Sequence, residues 1–174
     1  MTAPYLIMGA NGGIGEALAR RLAANGQPLV LSARDPAQLQ SLAADTDAST
    51  VACDVLDADS IKAAVTEAQT DEGLAGLAYC VGNIVLKPLK NLTETDLLDC
   101  YRLNTVGAAL AVQAATAALQ KAKGSVVLFS TVAVGQGFGN HAVIAAAKGG
   151  VEGLARSLAA DLAPGVRVNC IAPS

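Results

Sequence analysis

The sequence predicts an α/β domain: a doubly wound parallel sheet with helices on both faces, a three-layer αβα arrangement. Three observations predict it. Short apolar runs alternate with longer helical runs along all 174 residues. The short runs are apolar throughout, which implies strands buried on both faces of a parallel sheet. The chain has 36 alanines and no tryptophan, a composition suited to helices packed closely on strands. Right-handed crossovers leave few topologies, and the leading strand order is 3-2-1-4-5-6.

Each element has a local reason. Tyr5 to Met8 reads as a strand, and Ile14 to Asn25 as an Ala/Leu-rich helix stopped by Gly26. Leu29 to Ser32 is the second strand. Asp35-Pro36 opens a helix to about Ala44, with Asp35 as N-cap and Pro36 at the first helical position. Ser49 to Cys53 is a strand and Asp59 to Thr70 a helix. Leu77 to Val81 is the fourth strand, with a loop from Asn83 to Leu92. Thr93-Glu94-Thr95-Asp96 has the form of a capped helix start. Helical character continues to about Gln120, with a break expected near Gly107. Val126 to Phe129 is a strand, followed by a glycine-rich stretch from Gly135 to Asn140. A long helix runs from about Ala142 to Leu162. Pro164-Gly165 ends it, and Val166 to Ile171 is the sixth strand.

Composition excludes several function classes. A net charge of −3 argues against a nucleic-acid surface. The single histidine, His141, rules out a multi-histidine metal site, and no metal site is expected. Cys53, Cys80, Cys100 and Cys170 form no C-x-x-C pair. Three of them fall in strand-like runs, so buried reduced thiols are expected, consistent with a cytoplasmic protein. No signal peptide or membrane span is expected.

The strongest local signal is Gly9-Ala10-Asn11-Gly12-Gly13-Ile14-Gly15, between the first strand and the first helix. Glycines allow a tight turn and close approach of backbone to a pyrophosphate, and the helix N-terminus offers unpaired N–H groups. The alternative is a glycine-rich turn without a ligand. Context favours dinucleotide binding in a Rossmann-like fold. At the tip of the second strand stand Ser32-Ala33-Arg34, with Arg34 nineteen residues past Gly15. An NAD site places a carboxylate there; a guanidinium favours the 2′-phosphate of NADP. The alternative for Arg34 is a solvated surface arginine. NADP is therefore expected over NAD.

Met8 to Gly15 resembles the T-G-x-x-x-G-x-G signature of short-chain dehydrogenases/reductases, with Met8 in place of threonine. The resemblance extends to the last residue. Asp54-Val55 matches the pair that meets the adenine. Tyr79-Cys80-Val81-Gly82 stands where the family has N-N-A-G, and keeps only Gly82. Asn104 matches the family's helix-borne asparagine. Val166 to Pro173 resembles V-R-V-N-x-I-x-P-G, with Ser174 at the glycine. The resemblance implies that Gly9, Asn11, Gly12, Gly13, Ile14, Gly15, Ser32, Arg34, Asp54, Val55, Gly82, Lys148 and Pro173 bind the cofactor.

The catalytic stretch departs from the family. There a serine polarises the carbonyl, a tyrosine transfers the proton, and a lysine four residues later supports it. Lys148 fits the lysine, and Thr131, with Ser130 beside it, fits the serine. The tyrosine position holds Ile144, which has no proton to transfer. His141 lies seven residues before Lys148, a spacing that resembles the Y-x-x-x-x-x-x-K of enoyl-thioester reductases in the superfamily. It either relays protons or merely precedes the helix. The candidate catalytic set is Asn104, Ser130, Thr131, His141 and Lys148.

Two functions compete. One is an NADP(H)-dependent oxidoreductase acting on a carbonyl or alcohol, with altered proton-transfer groups. The other is a catalytically degenerate nucleotide-binding or assembly module. The helices around Asn104 and Leu154 are apolar over much of their circumference. In the family such helices pair subunits, so a homodimer or homotetramer is implied. A single domain over 1–174 is expected, lacking the family's C-terminal substrate-loop segment and last strand. The expected partner is a small-molecule substrate, with no nucleic acid and no membrane.

Overall fold

The computed structural model describes residues 2–174. The elements are β1 (Tyr5–Met8), α1 (Gly13–Ala24), β2 (Leu29–Ala33), α2 (Gln40–Thr46), β3 (Ser49–Ala52), α3 (Ala58–Ala68), β4 (Gly76–Tyr79), α4 (Glu94–Tyr101), α5 (Gly107–Ala122), β5 (Ser125–Phe129), α6 (Ala133–Gln136), α7 (Ala142–Leu162) and β6 (Arg167–Ile171). The strands form one sheet in the order β3-β2-β1-β4-β5-β6. All five pairings are parallel. The sheet is the doubly wound, Rossmann-like arrangement that the alternation predicts.

Two clusters hold the layers together. On one face Leu6, Met8, Val30, Leu77 and Leu128 meet apolar side chains of α3, α5 and α7. On the other, Ile7, Leu29, Leu31 and Ala78 meet those of α1 and α2. Period-two alternation of side chains sends neighbouring strand residues to opposite clusters. Alanines 108, 111 and 115 are buried on α5, where small side chains let the helix lie close to the sheet.

Several sequence expectations are corrected. Burial on both faces holds for β1, β2 and β4 but not for the flanking strands. Arg167, Asn169 and Ile171 of β6 are exposed, because α1 and α2 cover only the part of that face nearer β1 and β2. β3, at the other edge, buries only Val51. Of the cysteines, only Cys170 lies in a strand. Cys53 and Cys80 each donate one ladder-type bond, to Ala33 and Met8 (both 2.9 Å), and the chain then turns away. Cys53 and Cys100 are buried; Cys80 and Cys170 are partly so, and all four are free.

Pro36–Leu39 is a 3₁₀ turn that leads into α2, not α-helix. Asp35 caps it, accepting from the Ala37 amide at 3.0 Å. The break expected at Gly107 is a π-helical turn over Arg102–Val106. Gly107 then begins α5, and the π turn widens the helix at Asn104. The 83–92 loop contains a short 3₁₀ turn, Leu89–Asn91. Thr93 and Asp96 form a reciprocal capping box at α4. No helix among the described residues is long and apolar enough to cross a membrane.

Candidate functional site

A cleft of about 450 Å³ opens at the carboxyl ends of β1 to β4. It lies where the strand order reverses between β1 and β4, the place open α/β sheets offer to ligands. The glycine loop forms one wall through Gly9, Asn11 and Gly12. The amides of Gly9 and Ala10 both bond the Ser32 carbonyl, at 2.9 and 3.0 Å, which ties the loop to β2. Gly9 has φ +78°, and a Cβ there would lie 2.9 Å from Val81 Cγ2. A Cβ on Gly15 would collide with the Gly9 carbonyl oxygen. These two positions demand glycine; Gly13 does not, having open space around it. Gly12 caps α1 without a side chain, so the first-turn N–H groups keep no internal side-chain acceptor. Asn11 Nδ2 donates to Gln38 Oε1 at 2.9 Å and fixes the loop's outer edge.

The remaining walls follow from the strand ends. Ser32 and Arg34 come from the end of β2, with Asp54 and Val55 beyond β3 and Gly82 and Asn83 beyond β4. Arg34 is exposed at the tip. The neighbouring Asp35 carboxylate is engaged in its cap, so a cationic group faces the cleft mouth. Asp54 Oδ1 accepts from the Leu56 amide at 3.0 Å, which folds the turn around it. Gly13, Ile14, Gly15, Lys148 and Pro173 do not line the cleft. Ile14 points outward, 46% exposed, and Gly15 serves the close crossing of loop and helix. The Pro173 carbonyl accepts from Val132 N at 3.1 Å, beside Thr131.

A second group of residues converges at Gly82, which lines the cleft. Asn104 sits in the π turn, 1% exposed. Its Nδ2 donates to Asn83 Oδ1 at 2.8 Å and to the Cys100 carbonyl at 2.9 Å. Its Oδ1 is buried and has no hydrogen-bond partner. A Cβ on Gly82 would lie 2.6 Å from that oxygen and 3.4 Å from Lys148 Nζ. The three residues therefore meet at one point. Burial lowers the Lys148 pKa from its ordinary value, while the nearby Cys100, Cys170 and Cys80 act the other way. Burial pushes the Cys80 thiol up to about 12.

The other candidates make contacts of their own. Ser130, 5% exposed, donates to Glu152 Oε1 at 2.7 Å. Thr131 Oγ1 accepts from the Ala133 amide at 3.3 Å and starts α6. The His141 ring sits at the N-cap position of α7, its Nδ1 2.7 Å from the Gly139 carbonyl oxygen. It packs edge-on against Phe138, with ring centroids 5.4 Å apart. Ile144 is 2% exposed and packs with Cys100, Val143 and Ala147 beneath Val85, Leu92 and Leu97. Gln38, Asn83 and Glu152 were not candidates from sequence. Only Asn83, adjacent to Gly82, carried a local signal.

Known proteins resemble this chain in sequence and fold. The family profile described as enoyl-(acyl carrier protein) reductase matches residues 9–174. The chain is 34% identical over 173 residues to the 3-oxoacyl-[acyl-carrier-protein] reductase MabA of Mycobacterium tuberculosis, covering 97% of this chain and 67% of that one. It is 31% identical to the L-2,3-butanediol dehydrogenase of Corynebacterium glutamicum, covering 99% of this chain and 71% of the relative. Among solved structures, a short-chain dehydrogenase from Streptomyces avermitilis superposes with TM-score 0.90 at 26% identity, covering 100% of this chain and 66% of that chain.

Proposed function

We propose, from the premise that this chain belongs to the short-chain dehydrogenase/reductase family of NAD(P)-dependent oxidoreductases, that it prefers NADP(H) and interconverts a carbonyl and an alcohol. The observation that carries the preference is Arg34 at the rim of the cleft, beside a carboxylate already used as a cap. A guanidinium recognises a phosphate in bidentate fashion, whereas a ribose hydroxyl calls for a carboxylate acceptor.

The residues present fit a dinucleotide. The backbone of Gly9 and Gly12 forms a wall of the cleft, held by a close crossing that a side chain at Gly9 or Gly15 would break, and the N-terminus of α1 favours a pyrophosphate. Asp54 and Val55 would hold the adenine end and Arg34 the 2′-phosphate. Lys148 would face the ribose on the nicotinamide side. When bound, the nicotinamide supplies hydride chemistry. Thr131 has a hydroxyl free to donate to a substrate oxygen. Asn104 holds its carbonyl toward Lys148.

NADPH titration by fluorescence, followed by oxidation with a panel of ketones, aldehydes and enones, tests the reading. Saturable NADPH binding tighter than NADH binding, with turnover of at least one carbonyl, is expected. Binding without turnover across the panel would instead leave a nucleotide-binding module, the reading that Ile144 favours.

Leu98, Tyr101 and Val106 are large, apolar and exposed around the π turn, at 60%, 44% and 38%. They support association of copies of the chain into a homodimer or homotetramer through this face. Sedimentation at micromolar concentration tests it, and a monomer would count against it. The free thiols fit a reducing cytoplasm.

A further inference from the structure

We propose that Lys148 is itself the proton donor in carbonyl reduction, positioned by the side-chain carbonyl of Asn104. The inference deepens the reductase reading and rests on it. Ile144, one helical turn earlier, is sealed in an apolar cluster and offers no exchangeable hydrogen. The Lys148 amine lies close to Gly82, which itself lines the cleft. The side-chain oxygen of Asn104 lies close to the same residue.

The orientation of Asn104 is enforced. Its amide nitrogen is committed to Asn83 and to Cys100, so its oxygen must point toward Gly82 and Lys148. That oxygen is buried without a donor, a state that is costly unless a donor arrives. The Lys148 ammonium, close to the same Gly82, has N–H groups able to supply one. Among the described residues no carboxylate pairs with Lys148. The titratable groups facing it are the thiols of Cys80 beyond β4, Cys100 on α4 and Cys170 on β6. Burial raises the pKa of all three, which keeps them neutral near pH 7. The same burial lowers the lysine pKa from its ordinary value, which makes its ammonium a readier proton donor.

Other acids are placed elsewhere. Tyr79 donates its hydroxyl to the Leu103 carbonyl at 2.7 Å, and burial raises its pKa. The Tyr101 ring lies against Gly150 in the α4–α7 contact. The His141 ring faces back to the Gly139 carbonyl.

The step balances with the reduced dinucleotide as reductant. Hydride adds to the carbonyl carbon and the C–O π pair moves onto oxygen. One N–H bond of Lys148 breaks as an O–H bond forms. The neutral amine then regains a proton from water. The carbonyl is reduced and the dinucleotide oxidised.

Two measurements test the proposal. Trace acetylation of the full chain across the alkaline range, read by mass spectrometry, reports when each lysine deprotonates. Lys148 should become reactive at lower pH than a free lysine side chain labelled in parallel; titration together with that reference overturns the proposal. At saturating NADPH, confirmed by fluorescence, Lys148→Met should lower carbonyl turnover by about 100-fold or more. Lys148→Arg should not restore it. Wild-type turnover should fall as pH rises through the labelling midpoint, and Ile144→Tyr should abolish that dependence. Turnover of Lys148→Met within a few-fold of wild type overturns the donor role and leaves the reductase reading standing. NADPH binding without wild-type turnover overturns both.

Discussion

The carbonyl oxygen of Gly9 occupies the space that a methyl group on Gly15 would need. The loop and the first turn of α1 therefore cross at backbone-contact distance, and the crossing sets the position of the helix N-terminus. Gly15→Ala should force the loop outward, destabilise the protein by about 1–3 kcal/mol, and weaken NADPH binding. Gly13→Ala, in open space, should leave both unchanged. Thermal melts and dinucleotide titration of the two variants provide the check; equal effects would contradict this packing.

The proposed preference for NADP(H) rests on Arg34. Arg34→Asp should weaken NADPH binding by about tenfold or more, as expected for loss of a charge-assisted pair, and should spare NADH. Parallel titrations with both nucleotides give the answer. Equal losses would defeat the assignment.

Ile144→Tyr places a phenol where the family has one. The site is 2% exposed, so the larger ring must displace Val85 or Leu97. A stability loss of about 1–3 kcal/mol is expected from overpacking, together with faster carbonyl reduction. A stable variant with no gain in NADPH oxidation would show that more than the phenol is missing.

Asp96 gives a pH prediction outside the cleft. Lys87 Nζ donates to its carboxylate at 2.6 Å, and Thr93 adds its hydroxyl at 2.6 Å and its amide at 3.0 Å. These bonds, that from Lys87 foremost, hold its pKa down to about 2 from 3.8. The folded state thus favours the ionised carboxylate. The stabilisation is complete above the ordinary value and is lost as pH falls through about 2. Carboxyl NMR titration should show this low midpoint, and Lys87→Met should raise it. An unchanged midpoint in that variant would remove Lys87 as the cause.

The parallel sheet, its strand order and the glycine loop were legible in the residues themselves. Uninterrupted apolar runs, helix caps such as Thr93 and Asp35, and glycines between strand and helix are local signals. Gly9 and Gly15 were readable because close backbone approach admits no other residue. The same local reading overextended burial to β6, since which helices cover a strand depends on the whole arrangement. It also placed Cys53 and Cys80 inside strands, one residue beyond where each leaves the ladder.

The sequence by itself determined the fold class, the family resemblance, the glycine loop between β1 and α1 and the absence of a tyrosine at 144. Only the tertiary structure decided how the remaining polar groups divide. It turned Ser130 toward Glu152 and His141 toward Gly139, and it brought Lys148, Gly82 and the unpartnered oxygen of Asn104 to one point. The physical reason is distance along the chain. Residues 82, 104 and 148 belong to three elements, and their meeting depends on the π turn and on how α7 packs against α4, neither of which any local pattern encodes.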